Sequence, residues 1–86
     1  MMIYYKINYK DDDNDINKLI YKTDPDDGID TIQDLCAFWK CMLQESFDGL
    51  EHPQFAIMEI SEEEYNGYKN GCLYLGDYKI IEDSNE

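Results

Sequence analysis

Apolar and polar residues alternate at the start of the chain, and a second apolar-rich segment follows a short polar one. Met2 to Tyr9 alternate with a period of two and are rich in Ile and Tyr, which predicts an amphipathic strand. Lys10 to Asp15 is a cluster of turn-forming Asp and Asn residues that ends this strand. Ile16 to Lys22 fits either the return strand of a hairpin or a brief helix capped by Asp15. We expect the strand, because the connection is short.

A helical repeat of apolar residues begins after Thr23 to Asp30, a loop rich in Asp that also contains Pro and Gly. With Asp30 as the N-cap and Gln33 at the third helical position, the pattern predicts a helix over Thr31 to Asp48 that Gly49 ends. Its apolar residues lie within an arc of about 140°. The apolar face consists of Ile32, Leu35, Cys36, Trp39, Met42, Leu43 and Phe47. The opposite, mainly acidic face consists of Gln33, Asp34, Lys40, Cys41, Gln44, Glu45 and Asp48.

A further strand and a second helix follow in the next part of the chain. Phe55 to Ile60 comes after the turn residues His52 and Pro53 and predicts a largely buried strand. Ser61 then has the pattern of an N-cap, with Glu64 completing a capping box and Ile60 facing Tyr65 as a hydrophobic staple. A short helix is therefore expected after Ser61, and Asn70-Gly71 ends it.

The last segment predicts a second hairpin. Cys72 to Leu75 and Tyr78 to Ile81 flank Gly76-Asp77, a pair typical of a two-residue hairpin turn. Residues 82–86 are polar and are expected to form a frayed tail.

The order of these elements predicts an α+β fold. We expect a small antiparallel or mixed sheet of about four or five strands, packed against one long amphipathic helix, with a second short helix. A chain of 86 residues has room for one small core, because about 60–65% of its surface can be buried. The prediction is one acidic α+β domain over residues 1–86.

The net charge of the chain says more about its function than any motif does. The chain has 20 Asp and Glu against seven Lys and no Arg, which gives a net charge of −13. A net charge of about 2 to 8 is enough to keep a small domain in solution, and self-repulsion beyond that lowers stability. The surplus therefore suggests a binding role. Direct nucleic-acid binding is not expected from scattered Lys residues without Arg.

Cysteine usage and hydropathy suggest where the protein resides. An odd number of cysteines, Cys36, Cys41 and Cys72, together with an N-terminus that lacks the pattern of a signal peptide, favours the reducing cytoplasm. No apolar run reaches the length that spans a bilayer. We expect Cys36 and Cys72 to be core residues and Cys41 to be accessible.

Candidate metal and catalytic residues do not match known spacings. An EF-hand loop counted from Asp11 puts Ile16 at the glycine position and Lys22 at the final ligand, and a loop counted from Asp24 ends at Leu35. The cysteines lack the C-x₂-C spacing of zinc sites. The one His, His52, precedes Pro53 in a turn. We therefore expect no metal, no cofactor and no catalytic residues.

The carboxylates remain as the candidate binding residues. A folded chain of this mass exposes about 5,300 Å², or about one net charge per 400 Å², whereas duplex DNA has about one per 100 Å². Imitation of nucleic acid therefore requires the charge to be gathered on one side. The Asp24 to Asp34 loop leads directly into the polar face that carries Asp34, Glu45 and Asp48, and the Asp11 to Asp15 turn is expected near this surface. The expected partner-binding residues are Asp11, Asp12, Asp13, Asp15, Asp24, Asp26, Asp27, Asp30, Asp34, Glu45 and Asp48.

In size, charge and lack of a catalytic motif the chain resembles small inhibitors of CRISPR effectors, restriction enzymes and uracil-DNA glycosylase, and also immunity proteins and antitoxins. No residue motif matches one of these families. We expect a non-catalytic phage or mobile-element inhibitor that mimics nucleic acid and blocks the basic groove of a host defence nuclease or CRISPR effector. Two alternatives stay open: an immunity protein or antitoxin that neutralises a cationic nuclease toxin, and a small phage structural or regulatory protein whose acidity serves solubility alone.

Overall fold

The computed structural model describes residues 2–24, 26, 28–48 and 50–81. The elements in chain order are β1 (Tyr4–Lys10), β2 (Ile16–Lys22), α1 (Ile32–Ser46), β3 (Phe55–Ile60), α2 (Glu62–Lys69) and β4 (Lys79–Ile80). The four strands form one sheet in the order β3-β1-β2-β4. β1 is antiparallel to both of its neighbours, and β4 is parallel to β2. The predicted α+β class with a mixed sheet is confirmed.

β1 and β2 form the expected antiparallel hairpin. β2 spans Ile16–Lys22, so the strand prediction is confirmed and the helical alternative is wrong. Pairing continues one residue beyond the strands, where Thr23 donates its N–H to the Ile3 carbonyl at 2.9 Å and accepts the Ile3 N–H on its Oγ1 at 2.8 Å. Because Thr23 is buried, these bonds satisfy polar groups that would otherwise be costly to bury.

α1 covers one face of the sheet with the apolar side that the helical period predicts. Leu35, Trp39 and Leu43 are buried in one cluster with Ile3, Tyr5 and Ile7 of the N-terminal segment and β1. Partly buried side chains surround this cluster: Tyr9, Leu19, Tyr21, Ile32, Met42, Phe47, Phe55 and Ile57.

The ends of α1 differ from the prediction by one or two residues. The N-cap is Thr31, because its Oγ1 accepts the N–H of Asp34 at 3.1 Å. The predicted N-cap Asp30 is therefore wrong. The helix ends at Ser46 with Phe47 as the C-cap. The predicted terminator Gly49 lies outside the described residues.

α2 packs on the opposite face of the sheet. Tyr65 is buried with Ile60 and Ile20, which confirms the expected staple between Ile60 and Tyr65. Ser61 caps the helix by accepting the N–H of Glu64 at 3.0 Å, as predicted. In the predicted capping box the Glu64 carboxylate would accept the backbone N–H of Ser61. In the structure it accepts the hydroxyl of Tyr68 at 2.9 Å.

The predicted C-terminal hairpin is wrong, although its turn is present. Tyr78 donates its N–H to the Leu75 carbonyl at 3.3 Å, and Gly76 has a φ of 65° that favours glycine. Only Lys79–Ile80 is a strand, and it pairs with β2 rather than with residues 72–75. Ile80 packs against the cluster around Ile20 and Tyr65. Burial of Ile80 on the existing sheet is therefore favoured over pairing of residues 79–80 in a local hairpin. The expected tail, residues 82–86, lies outside the described residues.

Two predictions of burial are also wrong. β3 is an edge strand, and its Ala56, Met58 and Glu59 are exposed. Cys72 is exposed because the segment that was expected to be a strand runs outside the sheet, whereas Cys36 is half-buried on α1 and Cys41 is exposed as predicted.

Candidate functional site: an acidic arc between two acidic ends

The rotation of α1 about its axis is fixed by its buried side. The Trp39 indole N–H donates to the Tyr5 hydroxyl at 3.0 Å in the core. The Trp39 ring also meets Tyr21 edge-on, with centroids 5.5 Å apart, and Tyr9 at 5.8 Å. These contacts hold the apolar side against the sheet and turn the polar side to solvent.

The outward side of α1 carries the helical part of the candidate site. Asp34 and Glu45 are exposed on the helix, and Asp30 and Asp48 are exposed on either side of it. Lys40 is the only basic residue of α1. We name the set Asp30, Asp34, Glu45 and Asp48 the acidic arc.

The middle of the acidic arc is apolar. The Cα atoms of Asp34 and Glu45 are eleven helical positions apart, or about 16 Å. Phe38 lies between them and is 43% exposed, and Ala37 and Cys41 are exposed beside it. Negative charge therefore accumulates toward both ends of α1 rather than along its whole length.

The turn between β1 and β2 forms one acidic end. Asp11 is its organising residue: one carboxylate oxygen accepts the N–H groups of Asp13 and Asp15 at 2.9 and 3.0 Å, and the other accepts the Asn17 amide at 3.2 Å. The Asn17 bond, followed by the backbone N–H bonds, lowers the pKa of Asp11 below its ordinary value, because each favours the charged form. Asn14 completes the turn with a φ of 69°, a conformation that Asn tolerates.

Carboxylates in this turn also lie close enough to share a cation. One carboxylate oxygen from each of Asp11, Asp13 and Asp15 lies within 4.8 Å of the others. Among the residues that the structure describes, no other set of three or more His, Cys, Asp or Glu side chains comes together in this way. Because both oxygens of Asp11 already accept bonds from the protein, the cluster is explained by the turn itself.

The loop before α1 forms the other acidic end. Asp24 is half-buried and accepts the Asp26 N–H at 2.9 Å, and Asp26 is exposed. Asp27, also predicted as a site residue, lies outside the described residues. Ile29 is buried in the core and anchors the loop to the sheet face that α1 covers.

The Asp11 to Asp15 turn lies beside the C-terminal end of α1, whereas the loop after Lys22 leads into its N-terminal end. The β1–β2 turn and the loop after Lys22 lie at opposite ends of a seven-residue strand, about 23 Å apart along the strand direction. α1 runs between them, since Trp39 meets Tyr5 near the start of β1 and Phe47 meets Tyr9 near the turn. The predicted site residues thus form two ends joined by the acidic arc.

The segment after α1 adds a carboxylate that the sequence did not indicate. The Gln54 carbonyl accepts the Lys10 N–H at 3.0 Å, which places this segment beside the β1–β2 turn. Glu51 is exposed in the same segment, and its carbonyl accepts the Gln44 amide at 3.0 Å. Only the helix direction and the β1–β3 pairing reveal this neighbour, so no local sequence signal identifies it.

Lysines lie mainly on the sheet face opposite α1. Alternation along β1 and β2 directs Lys6, Lys10, Lys18 and Lys22 to the α2 side, because Tyr5, Ile7, Leu19 and Tyr21 face α1. Lys6 lies 4.8 Å from the ring centroid of Tyr68 and 5.2 Å from that of Tyr78, and its ammonium is 3.7 Å from the Glu64 carboxylate. The hydrogen bond with Tyr68 raises the pKa of Lys6 above its ordinary value, against the effect of burial.

This distribution separates the charges across the sheet. Lys18 and Lys22 also lie near aromatic rings, at 6.0 Å from Tyr78 and 5.9 Å from Tyr65. Four of the seven lysines therefore lie on the α2 side, and Lys40 is the one basic residue within α1. The charge is asymmetric, as nucleic-acid mimicry requires, but it is divided between two ends.

Comparison of the chain with protein-family models, with curated proteins and with solved structures finds no match. Neither α1 nor α2, the helices of the described part of the chain, combines the length and apolar character needed to cross a bilayer.

Proposed function

We propose that the protein is a non-catalytic inhibitor that places its acidic arc and two acidic ends in the basic nucleic-acid groove of a partner protein. The single observation that carries the proposal is the separation of charge: the lysines of β1 and β2 lie on the α2 side, whereas α1 faces solvent with carboxylates and one Lys. A nuclease or CRISPR effector of a host defence system is the partner class that such a surface fits.

The dimensions support this kind of imitation. Asp34 and Glu45 are about 16 Å apart along α1, and Asp30 and Asp48 lie beyond the two ends of the helix. One DNA strand places about five phosphates along 16 Å. The acidic arc thus has two carboxylates within this distance and two beyond it, and the two ends add further carboxylates from the residues described there, Asp11, Asp12, Asp13, Asp15, Asp24 and Asp26. The surface thus resembles two phosphate clusters with an apolar gap.

The exposed apolar surface around Phe38, between the two acidic clusters, would supply the apolar contact that ion pairs lack. Surface ion pairs contribute only about 0–1 kcal/mol each and weaken with salt, whereas interfaces depend on a few desolvated apolar or aromatic anchors. Phe38, at 43% exposure between Asp34 and Glu45, is such an anchor. The carboxylates would guide association and Phe38 would slow dissociation.

The test is capture of a partner from host lysate by immobilised protein at low salt, with DNA and RNA added as competitors. We expect capture of a nucleic-acid-binding protein that either competitor displaces. The variant Asp34→Asn/Glu45→Gln should lose most of the capture, whereas Glu62→Gln/Asp77→Asn, which removes the same charge from other parts of the surface, should retain it. Capture that persists at about 1 M salt, where charges are almost fully screened, would contradict the proposal.

A further inference from the structure

A groove beside α2 is formed from a different part of the chain and has different chemistry. It encloses about 550 Å³ and is lined by Ser61, Glu63, Glu64, Gly67, Tyr68, Cys72 and Leu73. One wall is the α2 surface, and the other is the segment that follows the helix. This groove is on the sheet face opposite α1, so it is separate from the acidic arc.

Gly67 determines the shape of the groove. A Cβ at this position would lie 2.7 Å from Leu73 Cδ1 and 2.9 Å from Leu73 Cγ, so the absence of a side chain lets Leu73 approach the helix. Cys72 and Leu73 also donate their N–H groups to the Gly67 carbonyl, at 2.8 and 3.1 Å. A glycine that weakens the helix by about 1 kcal/mol is thus the residue against which the second wall is fixed.

The walls combine carboxylates, an aromatic ring and exposed apolar surface. Glu63 is exposed, and Glu64 has Lys6 as its ion-pair partner at 3.7 Å. Leu73 is 43% exposed and the adjacent Tyr74 is 92% exposed, the largest exposure among the large hydrophobic residues that the structure describes. Exposed apolar residues next to a groove are typical of binding surfaces.

We infer that this groove binds the side chain of an arginine or lysine, next to an apolar residue, in a peptide segment of a partner protein. Glu64 is paired with Lys6, whereas Glu63 is exposed and has no ion-pair partner among the residues that the structure describes, so an incoming positive charge finds an uncompensated carboxylate. The long stem of Arg or Lys would lie along Leu73 and Tyr68, as such stems cover apolar surface while the charged group stays in contact with water. This inference does not depend on the proposed function.

The experiment is an NMR titration of ¹⁵N-labelled protein with the blocked tripeptide Ala-Arg-Leu, with Ala-Gln-Leu and Ala-Glu-Leu as controls. We expect saturable shifts of the Glu63, Gly67 and Leu73 amide signals with the Arg peptide only. Glu63→Gln should weaken the affinity about threefold to tenfold, as expected for loss of one charge contact. The matched variant Glu51→Gln, at the distant acidic end, should leave the affinity unchanged.

Three results would overturn the inference. The first is equal binding of the Gln peptide, the second is unchanged affinity in Glu63→Gln, and the third is a set of shifts spread over the acidic residues in general. Because Glu63→Gln leaves α1 unaltered, its failure here and a failure of capture by the acidic arc are separate outcomes.

Discussion

Replacement of Tyr5 by Phe tests the contact that orients the acidic arc. Tyr5 and Trp39 are 3% and 2% exposed, and the indole N–H of Trp39 donates to the Tyr5 hydroxyl at 3.0 Å. Phe keeps the ring and its packing but removes the acceptor, which leaves a buried N–H without this partner. Such a group costs about 1–3 kcal/mol.

The loss is large enough for routine measurement. For a domain of this size each kcal/mol lowers Tm by about 4–8 °C. Urea unfolding of Tyr5→Phe, followed by the fluorescence of the single Trp, should show a lower midpoint with an unchanged slope. Tyr74→Phe is the matched control, because Tyr74 is 92% exposed and should change stability by less than about 0.5 kcal/mol.

A double-mutant cycle separates the hydrogen bond from the loss of indole volume. Trp39→Phe alone is expected to be destabilising, and the double variant Tyr5→Phe/Trp39→Phe should be less destabilised than the sum of the two. A coupling energy of about 1 kcal/mol or more is expected. Strict additivity, or a Tyr5→Phe variant as stable as the parent, would refute the role of this contact in orienting α1.

Three further predictions concern the β1–β2 turn, the lysine side and the groove. Asp11→Ala should destabilise the protein at pH 7. The lowered pKa of Asp11 gives the parent stability that is complete above the unfolded pKa and lost as pH falls through the folded one, so the difference between variant and parent should shrink over that range. Thermal melts from pH 2 to 7 measure this difference, and a difference independent of pH would contradict the prediction. Lys6→Met should reduce the loss of stability as pH rises above 10.5, the ordinary pKa of lysine. The raised pKa of Lys6 gives stability that is complete below its unfolded pKa and lost as pH rises through the folded one. Denaturant midpoints check this, and an unchanged alkaline profile would count against it. Gly67→Ala should shift the amide signals of Cys72 and Leu73 and weaken the Arg peptide, and unchanged peptide affinity would show that Leu73 does not form the wall described.

The elements that the sequence predicts well are those decided by neighbouring residues. The alternation in β1, the short connection to β2, the helical repeat of α1, and the cap at Ser61 each depend on residues within a few positions, and each is present. The cap of α1 was displaced by one residue because Asp30 and Thr31 are both good N-caps, and in the structure it is the Thr31 Oγ1 that accepts a backbone N–H, that of Asp34.

The features that the sequence did not predict depend on distant parts of the chain. The Gly76-Asp77 turn forms, yet β4 pairs with β2, because burial of Ile80 against Ile20 is a tertiary effect. For the same reason the acidic residues could be predicted as a set but not as two ends. Their separation depends on the direction of β2 and on the path of α1 across the sheet, and neither is encoded locally.

The pairing of lysines with tyrosines has the same origin. Lys6, Lys18 and Lys22 look scattered in the sequence, but strand alternation brings them to one face, where the rings of Tyr65, Tyr68 and Tyr78 lie. This arrangement leaves the solvent-facing side of α1 acidic.

The central claim is that a partner contacts the acidic arc, and an NMR footprint of the complex tests it most directly. With the captured partner added to ¹⁵N-labelled protein, we predict broadening or shifts for Asp34, Phe38 and Glu45 that decrease as salt is raised. Signals of Lys6 and Lys22 on the opposite face should stay unchanged. A footprint on the lysine face with an undisturbed α1 would contradict the account.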